Sequence, residues 1–146
     1  MACRQLELFG DDSQEEQEAE ADVARLDLSP LFERLAKSRF RSSFYLNDRD
    51  KAYIQDKGWT KIEQGVRETI ARRLAPAFIA NDGRQTPMRH GIFPPFIAQH
   101  ATGCCCRSCL VKWHSIPKGR ALTLKEQVYV SRVVMEWLHR HYNGKG

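Results

Sequence analysis

A mainly α fold, one small helical domain behind an acidic tail, is predicted by three features of the sequence. Apolar residues recur at three- and four-residue spacing in several segments, helix-start signals precede them, and an acidic run from Asp11 to Asp22 carries almost no large apolar side chain. The chain has 146 residues, 42% of them hydrophobic, which suits one domain with one core.

The net charge of +5 conceals a division. Residues 1–27 hold Arg4 and Arg25 against nine acids, a net of −7, while residues 28–146 hold 21 Lys and Arg against 9 acids, a net of +12. The first segment is too polar and too charged to offset the entropy of ordering, so residues 1–27 are predicted to be a disordered tether, with a lone acidic helix as the alternative. The second is a basic domain whose charge suits a polyanion. No apolar run reaches the roughly 18 residues that span a bilayer, and no basic region followed by an apolar stretch opens the chain, so a cytoplasmic protein is expected.

Within residues 28–146 the helices follow in order. Ser29-Pro30 opens the first, with Leu31, Phe32 and Leu35 on one side. Asp48 to Lys57 forms the second, stopped by Gly58. Thr60 and Glu63 have capping-box spacing, and Ile62, Val66, Ile70 and Leu74 then recur every four residues up to Pro76. Lys61, Arg67, Arg72 and Arg73 lie on the other side. Residues 75–99 hold four of the six prolines and predict a long ordered loop, with short strands conceivable in 40–46 and 92–97. Thr123 and Glu126 repeat the capping-box spacing ahead of Val130, Val133, Val134, Trp137 and Leu138, a core face that runs toward Gly144.

The segment QHATGCCCRSCLVKWH gathers His100, Cys104, Cys105, Cys106, Cys109 and His114. Adjacent cysteines make a poor disulfide framework, whereas thiolates and imidazoles at this density are the ligand types of a tetrahedral zinc site. The expected ligands are His100, Cys105, Cys109 and His114, with Cys106 as the replacement. An iron–sulfur cluster, a redox role for neighbouring thiols and a cysteine-rich turn without metal stay open. Lys112, Lys118 and Arg120 surround Trp113 just downstream, a composition that suits contact with a nucleic-acid backbone. Together with Arg67, Arg72, Arg73 and Arg89 they form the candidate DNA-binding set. In NDGRQTPMRH, Asp82 could position water, with Arg84 and Gln85 beside it for phosphate, as in a nuclease or glycosylase site. Asn81-Asp82-Gly83 is equally a turn sequence.

From about Leu31 to Trp137, and above all in RLAPAFIANDGRQTPMR and AQHATGCCCRSCLVKWHSIPKGR, the chain resembles a bacterial family defined only as a domain of unknown function. The resemblance implies a bacterial or phage origin and a single site that joins the loop to the Cys/His cluster; it implies no activity. The family has His and Gly in the opposite order at His90-Gly91, which leaves His90 without a role to inherit. At the other end QLELF, Gln5 to Phe9, resembles the bacterial sliding-clamp binding peptide QLxLF. That likeness implies that the Gln5 amide bonds at the rim of a clamp pocket while Leu6, Leu8 and Phe9 fill its apolar cleft.

Charge, cluster and peptide together predict a DNA-binding repair or replication factor, held at the nucleoid by the clamp. Two alternatives remain: a DNA-processing enzyme, either nuclease or base-excising glycosylase, and a non-catalytic zinc-dependent regulator that binds DNA.

Overall fold

The computed structural model describes the backbone of residues 2–143 and the side chains of residues 13–143. Helices α1 (Ala2–Ala24), α2 (Ser29–Lys37), α3 (Asp48–Lys57), α4 (Trp59–Thr69), α5 (Pro95–Ala101), α6 (Arg107–His114) and α7 (Leu124–Asn143) follow one another, and no strand occurs among the described residues. No helix there is long and apolar enough to cross a membrane.

Local chemistry sets most helix ends. Asp27 Oδ1 accepts from the Ser29 N–H, 3.0 Å away, and Pro30 occupies the first turn of α2, where its missing N–H costs nothing. Asn47 and Asp50 close a reciprocal capping box at the start of α3. Gly58, at φ +82°, both ends α3 and precedes α4. Because α4 starts at Trp59, Thr60 falls inside its first turn, and the expected Thr60–Glu63 box does not form. At α7 the expected box does form: the Glu126 N–H donates to Thr123 Oγ1 at 3.1 Å and the Thr123 N–H to Glu126 Oε1 at 2.9 Å.

Ile62, Val66, Ile70 and Leu74 are all buried, as their four-residue recurrence requires. The last of them sit on a π-helical turn, Ile70–Leu74, closed by Ala75 N–H donating to the Ile70 carbonyl at 2.8 Å. The wider turn lets the helix release its backbone before Pro76. Helix α7 is the central element: it packs against α1, α4 and α5, and buries Val130, Val133, Val134, Trp137 and Leu138. Gly144, the expected stop of α7, lies outside the described residues. The two segments where strands were conceivable contain instead a 3₁₀ turn, Arg41–Ser43, and the start of α5.

The acidic segment takes the helical alternative that its Glu and Ala content allowed. It is helical, and Ala19 and Val23, four residues apart, are buried against Val128 and Tyr129 of α7. Arg67 pairs with Glu16 at 3.0 Å and Glu20 at 2.8 Å, and the Arg132 guanidinium donates to the carbonyls of Val23 and Leu26 at the helix end. Composition left the choice between tether and helix open because two apolar residues suffice when a basic domain supplies the counter-charge. The clamp-like peptide Gln5–Phe9 falls within α1, and its side chains lie outside the described residues.

Val23→Asp is expected to free α1 while α2–α7 stay folded, since an unpaired carboxylate in that apolar contact costs more than two small side chains return. Amide hydrogen exchange reads this directly. Faster exchange confined to residues 13–24 is the expected pattern, and unchanged protection there would mean that the Val23 contact does not hold the helix.

Candidate metal centre

Cys106 is the N-cap of α6 and its Sγ accepts from the Cys109 N–H at 3.4 Å, so the helix start itself sets the CxxC geometry. Cys105 precedes the cap by one residue. The three sulfurs of Cys105, Cys106 and Cys109 lie within 4.8 Å of one another, with Sγ–Sγ distances of 3.4 Å from Cys105 to Cys109 and 3.2 Å from Cys106 to Cys109. This cluster can hold a metal ion.

Over the sulfurs lies Arg41 from the 3₁₀ turn, buried, with Nη2 at 3.2 Å from Cys109 Sγ and Nη1 at 3.6 Å from Cys105 Sγ. Its Nη1 also donates to the His100 carbonyl at 2.6 Å. Burial opposes the Arg41 charge, but its hydrogen bonds to Cys105 and Cys109 outweigh that and raise its pKa. Cys109 accepts from both neighbouring thiols and from Arg41, which holds its thiol far below the usual range. Cys105 is pushed up by donating to Cys106 and Cys109. The Cys105 thiol lowers Cys106, yet donation to Cys109 and burial leave it raised. The two neighbouring thiols and the guanidinium thus all favour the thiolate form of Cys109, and a metal on the three sulfurs would displace their thiol protons.

The two histidines do not join this group. His100 Nε2 faces the Thr86 carbonyl at 2.7 Å, so it carries the proton and donates, while the ring stacks on Phe44. His114 Nε2 lies 2.8 Å from the Thr102 carbonyl and 3.4 Å from Cys104 Sγ, and Tyr129 donates to its Nδ1 at 2.7 Å. Burial lowers both imidazole pKa values and pushes the Cys104 thiol up to about 12. The expected set of His100, Cys105, Cys109 and His114 thus divides: Cys105 and Cys109 meet Cys106, and the histidines brace the walls. Helical periodicity could relate Cys105 to Cys109, but only the tertiary fold decides where a ring nitrogen points.

Asp82 lies at the other end of the same construction. Its Oδ1 accepts from the Arg107 N–H at 3.0 Å and from Gln85 Nε2 at 2.9 Å, and its Oδ2 from the Ser108 N–H and hydroxyl at 3.3 and 3.2 Å. Burial alone would raise its pKa, but these donors outweigh it and lower it. With both oxygens so engaged, Asp82 caps α6 rather than presenting a base to water, and Gln85 orients it; Arg84 is exposed on the turn. Thr86 Oγ1 donates to the Cys105 carbonyl at 2.9 Å, so the loop and the cluster form one unit.

Sequence reasoning passed over the residues that hold this unit together. Arg107 is buried, and its guanidinium donates to the carbonyls of Leu74, Ala75, Pro76, Pro117 and Arg120, at 2.8 to 3.5 Å. Asp50, with 0% of its side chain exposed, accepts from His90 Nδ1 and from the Gly91 N–H at 2.7 Å, fastening the loop to α3. The Asn47–Asp50 spacing was the available signal for Asp50; for Arg41 and Arg107 nothing local marks an arginine as buried. Gly103 is needed for another reason: at φ +71°, its missing Cβ would sit 2.7 Å from the Trp113 ring. Trp113 is therefore packed into the domain, and it carries Arg34 and Arg41 over its ring.

The model of a family described as a domain of unknown function, DUF4186, matches residues 29–139. The chain belongs to that family. The match spans α2 to most of α7, including Arg41, the loop and all four cysteines of the cluster region, and it begins after the acidic helix. No solved structure matches the chain.

Metal content distinguishes the sulfurs. Cys109→Ser is expected to abolish metal binding, because it removes the thiolate that both other thiols and Arg41 address, whereas Cys104→Ser should retain it. Elemental analysis after anaerobic purification, with circular dichroism to confirm folding, makes the comparison. Equal loss from two folded variants would overturn the three-cysteine assignment.

Proposed function

We propose that this DUF4186 protein is a DNA-binding repair or replication factor, in which a zinc ion on Cys105, Cys106 and Cys109 stiffens a basic domain and the N-terminal peptide docks on the bacterial sliding clamp. The observation that carries the reading is the charge of residues 28–146, +12, together with where it is exposed. Arg72, Arg73, Arg89, Lys112 and Lys118 are all exposed. Two other candidate contacts are already neutralised: Arg67 by Glu16, Glu20 and Glu63, and Arg120 by Glu126, whose carboxyl is held down to about 2, chiefly by that arginine.

Zinc is favoured over a hard cation by three soft sulfur donors, and Arg41 offsets the net negative charge of a tris-thiolate zinc site. The ion would fix Cys105 and the first turn of α6 relative to each other, and through Thr86 and Asp82 the loop that precedes Arg89. Its role in this reading is to hold cations in register with phosphates. The clamp peptide supplies location: a weak DNA binder gains effective concentration when it is tethered to a replication or repair site.

DNA affinity should fall steeply with salt, with a log–log slope of about 0.9 per phosphate contacted. Arg72→Ala and Lys112→Ala should each lower that slope by about 1. Arg67→Ala should change it little, because its charge is already spent on α1. Fluorescence polarisation on a labelled duplex measures all three; absence of binding at low salt would remove the DNA reading.

Clamp docking is tested separately. A peptide of residues 1–14 should bind the clamp saturably and compete with the full-length protein, and Leu8→Ala with Phe9→Ala should abolish binding. Burial of those two side chains is worth about 1.5 to 3 kcal/mol each before ordering costs. Titration calorimetry that finds no saturable binding at high micromolar peptide would leave QLELF without a role.

A further inference from the structure

A cleft of about 310 Å³ is lined by Phe78, Ile79, Asp82, Arg107, Lys118 and Gly119 among others. Phe78 is 84% exposed, more than any other large hydrophobic residue described. A single exposed phenyl is unremarkable on a protein surface. Here it stands beside a concavity with cations in its walls and a single acid, Asp82, whose oxygens are occupied by the α6 cap.

The cleft is held open by the fold. One wall, Ala77–Ile79, directly follows the Leu74–Pro76 backbone, and the other, Lys118 and Gly119, lies within the turn from Pro117 to Arg120. The Arg107 guanidinium bonds to both the Leu74–Pro76 backbone and that turn, Nη1 to the first and Nη2 to the second. Lys118 is braced by its Nζ donating to Ser108 Oγ at 2.8 Å, and Ser108 in turn donates to Asp82. The slot thus has an aromatic side chain at its edge and an ammonium beside it, on backbone that Arg107 ties together.

We propose that this cleft takes one unstacked nucleobase, laid face-on against Phe78, with Lys118 on the adjoining phosphate. The inference rests on the DNA-binding reading and adds to it the form of DNA preferred: a single strand, a flap or an extruded nucleotide. The volume is at the small end of ligand sites and is enough for one planar ring system. Every base offers a π face to an aromatic side chain, and every nucleotide carries the anion that Lys118 requires. A peptide side chain of similar size would supply the ring without the charge.

Full-length protein, with its metal, is titrated by fluorescence polarisation against a labelled single strand, the same strand with one abasic position, and a blunt duplex. 2-Aminopurine in the single strand reports stacking. The wild type is expected to prefer the intact single strand to the duplex. Phe78→Ala is expected to weaken single-strand binding about tenfold, to remove the 2-aminopurine signal and to leave duplex affinity within about twofold, while Phe78→Trp retains all three. Lys118→Ala should weaken both forms and lower the salt slope by about 1. Because Phe78 is so exposed, its replacement leaves the core untouched, and circular dichroism verifies this. Duplex binding with no loss of single-strand affinity in Phe78→Ala overturns the base cleft and leaves the DNA reading standing. No binding to either form overturns both. Equal binding of the intact and abasic strands, or capture of an apolar peptide by the cleft without any base signal, also overturns it.

Discussion

A buried guanidinium bonded to carbonyls from two separate stretches of backbone is the constraint on which the functional half of this domain depends. Arg107 is almost fully out of water, and the five carbonyls around it replace much of its hydration. Burial lowers its pKa and the nearby Arg120 charge lowers it further, yet an arginine starts so high that it stays charged. The carbonyls it satisfies come from the frayed end of the π-helical turn and from an irregular turn, where no helical ladder is available to use them. One side chain thus resolves the backbone problem of two loops and joins them.

The same helix start serves two purposes. Cys106 caps α6 from within the chain and Asp82 caps it from the loop, so the first turn of α6 is fixed from both sides. That turn carries Cys109 back toward Cys105 and Cys106, under Arg41. A thiolate among two thiols would be costly in an apolar interior, and the Arg41 guanidinium at 3.2 Å from Cys109 Sγ offsets that cost. The two arginines do different work: Arg107 neutralises backbone dipoles and Arg41 neutralises sulfur.

The acidic and basic stretches of the chain meet in the fold. The acidic helix does not trail freely. It lies on α7 and draws Arg67 and, more loosely, Lys125 to itself, so part of the basic surface is matched internally. The cations left exposed and outside these pairs include Arg72, Arg73, Arg89, Lys112 and Lys118, fewer than composition implies. Counting lysines and arginines sets an upper bound on phosphate contact; ion pairing sets the usable number.

The helical class, the start of α2, the boundaries of α3, the α7 capping box and the buried face of Ile62, Val66, Ile70 and Leu74 were legible in the sequence, because each depends on neighbours within about one or two helical turns. The density of sulfur and imidazole was legible too, and with it the location of the candidate metal centre. Tertiary structure alone decided which of those groups meet. It turned His100 toward Thr86 and His114 toward Tyr129, brought Arg41 onto sulfurs more than sixty positions away in the chain, spent the Asp82 carboxylate on a helix end, and laid the acidic segment against α7. Periodicity and capping are local and can be read along the chain. The partner of a long polar side chain is fixed by whichever distant backbone group has no other way to satisfy its hydrogen bonds, and that is known only when the chain has folded.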